Sequence, residues 1–276
     1  MIRHQRLGHS QRRRDGEDLA EQPRRTARGL SSSAGLALSL TLLALAWKAL
    51  VVVRGYPAFV LPAPDLVLGR LVAEMSGGPL PHHAAITLVE ALGGFGLALA
   101  VSLPLAYLLA HSPRLERLLA PQLAATQAVP VVALAPLIIL WVGTGLDAKI
   151  LVAGLVTFFP ILSSAVVALR GVPRELLEMA RISGANRWQM LWHVELPLAL
   201  PGIFGGAKAG LALATTGAVV GEFVSGRDGL GALINISRGL FDTPLMFVAL
   251  IVLAVMTLTF YLLSVLLERA LVRWEA

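Results

Sequence analysis

The sequence has 276 residues, of which 56% are hydrophobic and only 14% charged, with a mean hydropathy of +0.74. A soluble globular domain carries roughly 25% charged residues, so the composition excludes that class. Cys is absent, which removes disulfide frameworks and thiolate metal sites. The net charge of +6 does not form a nucleic-acid face, because the arginines fall in the gaps between apolar blocks.

Residues 1–33 are rich in Arg, Gln and Ser and read as a disordered basic cytoplasmic tail. A cleaved signal peptide ending near Ala44-Leu45-Ala46 is the rival reading. Against it, the basic region is long and the apolar run continues past Lys48 to Val53. The remainder, 34–276, reads as a transmembrane domain.

A spanning helix needs about 20 apolar residues. Six segments qualify: Ala34–Val53, Ala91–Ala110, a stretch within Leu118–Leu146 interrupted by Pro130 and Pro136, Ile150–Leu169, Leu198–Gly221 and Leu245–Leu267. With the N-terminus inside, the inner segments carry sixteen arginines. The outer ones carry only Arg54, Arg70, Lys149, Arg227 and Arg238. The positive-inside rule therefore predicts an all-α membrane protein with both termini in the cytoplasm.

Catalytic motifs are missing. The dipeptide Gly-Lys never occurs, so there is no P-loop. HExxH and GxSxG are absent, and the six histidines have no metal-ligand spacing. Ser163, Ser164 and Thr157 share a span with no His or Asp, which speaks against an intramembrane enzyme. An ion-driven transporter predicts acids near the midplane and internal repeats, and neither is found. The chain reads as non-catalytic, with no cofactor or metal of its own.

Ionisable residues within spans are functional candidates by default. Glu90, Lys208 and Glu222 qualify as pathway or gate residues, as does Lys48. All lie toward span ends, where snorkelling to the interface is the plain alternative. The pairs Gly206/Gly210 and Gly217/Gly221 are GxxxG spacings that permit close helix approach, within this subunit or against a second copy. Pro130, Pro136 and Pro160 predict irregular spans, as found where helices line a cavity.

The loop 170–197 is the most informative segment. Pro173 suits a helix start. Leu176, Leu177 and Ala180 fall at one-turn spacing and are expected to share a face. Gly184 permits a turn, and a second helical stretch leads to Pro197 and the next span. Such an element can receive a push from a soluble partner and pass it into the membrane.

This loop resembles the EAA loop of binding-protein-dependent ABC importer permeases. Glu178 and Ala180 match its start, with Met179 in place of the first Ala; Gly184 matches its glycine. Val194, Leu196 and Pro197 match its Ile-x-Leu-Pro end, with Val for Ile. Further pieces follow in order: Leu61-Pro62-Ala63-Pro64, His83, Thr87-Leu88, Trp141 to Gly145, Lys149, Phe158-Phe159-Pro160, Glu222, Gly229-Leu230-Gly231 and Arg273-Trp274. Together they are most similar to the nitrate, taurine and aliphatic-sulfonate branch.

The resemblance implies a type I importer permease (MetI-like) of the bacterial inner membrane, importing a small solute of sulfonate, taurine or nitrate type. It implies two copies forming the pathway, a separate ATPase that holds ATP and Mg and docks on the loop, and a periplasmic or lipid-anchored solute-binding protein. The branch usually has a basic residue where Glu90 stands. If that position meets the solute, the reversed charge changes what can pass.

Overall fold

The computed structural model describes residues 32–272. The expected tail, apart from its last two residues, and the Arg273-Trp274 piece lie outside the described residues. All regular structure among the described residues is helical. The chain divides between Ala49 and Leu50 into two units. The first, as far as it is described, is the N-terminal part of α1 (Ser32–Arg54), an unbroken apolar helix.

The second unit holds the rest. A short outer helix, α2 (Pro64–Gly77), precedes α3 (Leu80–His111). Then come α4 (Pro113–Ala128), α5 (Val131–Val142) and α6 (Leu146–Arg170). The loop helices α7 (Arg174–Ile182) and α8 (Arg187–Met190) lead through a π-helical turn, Leu191–Glu195, into α9 (Leu196–Ser225). A short α10 (Leu230–Gly239) and the final α11 (Thr243–Leu271) follow. Five helices are long and apolar enough to cross a bilayer, and the bent pair α4–α5 makes a sixth crossing if it acts as one.

The packing decides that question. At one end, Lys149 near the start of α6 meets Glu90 near the start of α3. At the other, Arg170 at the end of α6 donates to the Leu109 carbonyl near the end of α3. The two helices therefore run in the same direction, and α4–α5 must carry the chain back across. The pair bends by 94° where Pro130 supplies no N–H and disfavours helical geometry at Val129. The third span is thus a broken one, as Pro130 predicts.

Pro136 and Pro160 behave differently, for each lies inside a continuous helix. The expected irregularity does not appear in α6. There Ser102 Oγ donates to the Phe158 carbonyl at 3.0 Å, and Ser163 Oγ to that of Pro160 at 3.2 Å. Hydroxyls satisfy carbonyls near the ring and keep the helix continuous.

Helices α3, α6 and α9 form the close-packed centre. A Cβ on Gly94 would lie 2.4 Å from that of Ala153, one on Gly206 2.4 Å from that of Ser164, and one on Gly217 2.7 Å from the Ala153 Cα. Gly210 and Gly221 press on Ile161 and Lys149 in the same way. Both GxxxG pairs are therefore spent on α6 of the same chain, and the second-copy reading of these glycines is set aside. Small residues let the backbones approach until dispersion replaces the hydrophobic drive that lipid does not supply.

Candidate coupling and gating sites

The cytoplasmic loop is built in three steps. Val172 is buried in a cluster with Ala106, Leu109, Leu162, Ala165, Ala199 and Ile203, which anchors the loop's start. In α7, Leu177 packs against that cluster, while Leu176, Met179 and Ile182 are 36%, 60% and 88% exposed. The expected shared face of Leu176, Leu177 and Ala180 is thus split: Leu177 turns inward, and Leu176 joins Met179 and Ile182 in an outward apolar stripe. Glu178 is exposed and Ala180 half-buried.

The hinge follows. Gly184 has φ +82°, a conformation that Gly reaches without the Cβ penalty. Asn186 then caps α8: its Oδ1 accepts from Gln189 N–H at 2.8 Å, and Gln189 Oε1 accepts from Asn186 N–H at 2.9 Å. This capping box fixes the direction of the second arm. Pro197 lacks the N–H that would close the preceding turn, and Leu196 N–H reaches back five residues to Leu191 O. The π-turn absorbs the proline, so the arm enters α9 without a break. Leu196 packs on the inner core cluster, and Glu195, buried, meets His111 of α3 at 3.1 Å.

At the outer end a second site gathers residues from four elements. Glu90 (0% exposed) and Lys149 (4%) form an ion pair at 2.8 Å. Lys149 Nζ also donates to the Asp228 carbonyl at 2.9 Å. Glu222 is fully buried; its Oε1 accepts from Thr87 Oγ1 at 2.5 Å and its Oε2 from Gly231 N–H at 2.6 Å. Leu230 N–H donates to Thr87 Oγ1 at 2.8 Å, and Gly229 N–H to His83 Nδ1 at 3.0 Å. The loop between α9 and α10 is therefore pinned by side chains of α3 and α6.

Glycines at positive φ, Gly226 (+68°) and Gly229 (+108°), shape that loop. A Cβ on Gly229 would lie 1.9 Å from Glu222 Oε1, so the backbone approaches the carboxylate as only glycine allows. The knot also satisfies the first N–H groups of α10, which have no partner within their own helix.

Lys208 lies apart from both sites. Its Nζ donates to Glu268 Oε2 of α11 at 2.6 Å, and both side chains are about four-fifths buried. Sequence reasoning singled out Glu90, Glu222 and Lys208 but not their partners. Thr87, His83 and Gly229 enter the sequence reading only as pieces of a resemblance, Lys149 only there and in the topology count, and Glu268 not at all. Thr87 lies 135 residues from Glu222 and Glu268 60 residues from Lys208, beyond the reach of local periodicity. The Thr157 and Ser163 hydroxyls bond to carbonyls of their own helix, and no cluster of metal-binding side chains occurs among the described residues.

Comparison with known proteins agrees with this geometry. Residues 102–275 match the family model described as "Binding-protein-dependent transport system inner membrane component". The chain is 65% identical over 242 residues to the riboflavin transport system permease protein RibX of Chloroflexus aurantiacus, covering 88% of this chain and 90% of that one. It is 33% identical to the putative aliphatic sulfonates transport permease protein SsuC of Bacillus subtilis, covering 87% of each. The MetNI methionine ABC transporter in an inward-facing form shares the fold, with a TM-score of 0.64 at 22% identity over 70% of this chain and 95% of that one. The chain thus belongs to the binding-protein-dependent transport system inner membrane components, as the multi-pass permease subunit of an ABC importer whose ATP hydrolysis resides in a separate subunit.

Proposed function

We propose that the chain carries a riboflavin-type flat heterocycle into the cytoplasm. The observation that carries this reading is the 65% identity, over nearly the whole of both chains, to a permease named for riboflavin. The charges agree with it. Lys149 is neutralised by Glu90 and Lys208 by Glu268. An anion would gain little from cations already engaged with carboxylates.

The sulfonate, taurine or nitrate reading stays as the second one, supported by the SsuC likeness and by a 28% identical taurine permease. On either reading two copies form the pathway, and a loaded solute-binding protein docks outside. ATP and Mg are held by the partner ATPase. The ATPase docks on Leu176, Met179 and Ile182, with Glu178, Ala180, Gly184, Leu196 and Pro197 forming the lever behind that stripe. Glu222 and Glu90 act at the outer gate by holding the loop after α9.

The test is purification of the assembled importer with its binding protein, followed by an ATPase assay with riboflavin, taurine, an alkanesulfonate, nitrate or a thiamine precursor in turn. Stimulation by riboflavin and not by the anions supports the first reading. Stimulation by a sulfonate or nitrate alone replaces it with the second.

A further inference from the structure

A groove of about 650 Å3 opens beside the second arm of the coupling loop. Its floor is apolar, with Leu103 of α3, Leu169 of α6 and Ile203 of α9; its rim carries Arg187, Trp188, Trp192 and Tyr107. The lining residues extend from Arg187 to Ile203, about 24 Å along the helix at 1.5 Å per residue. The groove therefore starts at the level of the loop and runs into the depth of the spans. Leu169 adjoins Arg170, so it lies at the arginine-rich inner face of the bilayer.

This geometry selects the occupant. A ligand must be apolar along most of its length and must end beside a cation. Arg187 is exposed and has no carboxylate partner among the described residues. Trp188 and Trp192 stack edge-on at 5.5 Å, 67% and 49% exposed. Exposed indoles beside an apolar floor suit the boundary between headgroups and hydrocarbon. A soluble partner would have to push an apolar segment into the hydrocarbon to fill the floor, whereas acyl chains are already at that depth.

We propose that the groove binds an anionic phospholipid of the cytoplasmic leaflet, with an acyl chain along Leu103 and Ile203 and its phosphate at Arg187. The site is distinct from the ATPase-docking stripe and holds whichever solute is carried. It also touches the transmission element: Tyr107 stacks on His111 at 4.3 Å, and His111 holds Glu195 of the π-turn. A bound lipid thus braces the turn through which α7 moves α9.

The experiment uses the full chain with Trp47, Trp141 and Trp274 replaced by Phe, so that Trp188 and Trp192 report alone. It is reconstituted in phosphatidylcholine vesicles containing a small fraction of brominated phosphatidylglycerol or brominated phosphatidylcholine. The expected result is an apparent affinity about fivefold higher for the anionic quencher, the equivalent of about 1 kcal/mol for one cation at an anionic surface. Arg187→Gln is expected to abolish that preference while quenching by phosphatidylcholine remains.

Equal quenching by the two lipids in the parent protein overturns the proposal, as does a preference that survives Arg187→Gln. Absence of quenching by either lipid means that a second copy or another protein covers the groove, and overturns it equally. Should the triple-Phe protein not fold, native mass spectrometry of the unaltered chain against Arg187→Gln gives the same decision. Retained phosphatidylglycerol adducts must then fall by a similar factor.

Discussion

Lys149 Nζ stands 2.8 Å from Glu90 Oε1 and 2.9 Å from the Asp228 carbonyl oxygen, so one ammonium joins α3, α6 and the loop that follows α9. Both partners of the ion pair are almost wholly shielded. Removing one side of such a pair costs about 3–5 kcal/mol, because the remaining charge stays buried without compensation. Lys149→Met is expected to lower stability by that amount in denaturant titrations of the purified protein. Adding Glu90→Leu to it is expected to restore most of the loss. If the double variant is as unstable as the sum of the singles, the pair is not coupled as the geometry shows.

The loop itself gives a second expectation. Gly229 has φ +108°, and a Cβ there would fall on the Glu222 carboxylate. Gly229→Ala combines backbone strain of about 1–3 kcal/mol with displacement of Glu222 from Gly231 and Thr87. Gly239, ten residues on at the end of α10, has nothing within 4 Å of its missing Cβ. Gly239→Ala is therefore the matched control. A large fall in melting temperature for the first and none for the second is the expected pair of results.

How far these features are legible in the sequence depends on their range. The spans, their direction and the broken third crossing rest on composition and on one proline, which are local properties. The coupling loop is legible because Pro173, Gly184 and Pro197 each impose a backbone state on their neighbours, whereas the Asn186 capping box emerges only in the structure. The partners of Glu90, Glu222 and Lys208 are not legible, since each is met by a side chain or backbone group from another helix. Nor did spacing alone assign α7 its faces, because Leu176 and Leu177 are adjacent and equally apolar. Packing of Val172 and Leu177 into the inner core cluster decides which of the two turns outward.

The outward stripe of α7 carries the third prediction. Ile182 is 88% exposed, so Ile182→Asp leaves the fold of the subunit intact. On the proposed docking it introduces an unpaired charge into an apolar contact, and loss of ATPase co-purification is expected with an unchanged melting profile. Gly184→Asp is expected to have the same effect through the hinge, since φ +82° disfavours a side chain although the space around it is open. Survival of both ATPase association and uptake in Gly184→Asp removes the lever role from this loop.

At Lys208, pairing and transport can be separated experimentally. Its ammonium lies 2.6 Å from Glu268, with both side chains only about one-fifth to one-quarter exposed. If Lys208 serves chiefly to neutralise Glu268, then Lys208→Met is expected to weaken the α9–α11 contact by about 1–3 kcal/mol, the cost of leaving a partly desolvated partner unmatched. Lys208→Met combined with Glu268→Leu then replaces the pair by an apolar contact of similar volume, which is often neutral or stabilising. Uptake by the double variant in vesicles carrying the ATPase and binding protein is expected to match the parent. A double variant that is stable yet fails to transport instead assigns Lys208 to the pathway, because stability has been restored and only the cation is missing.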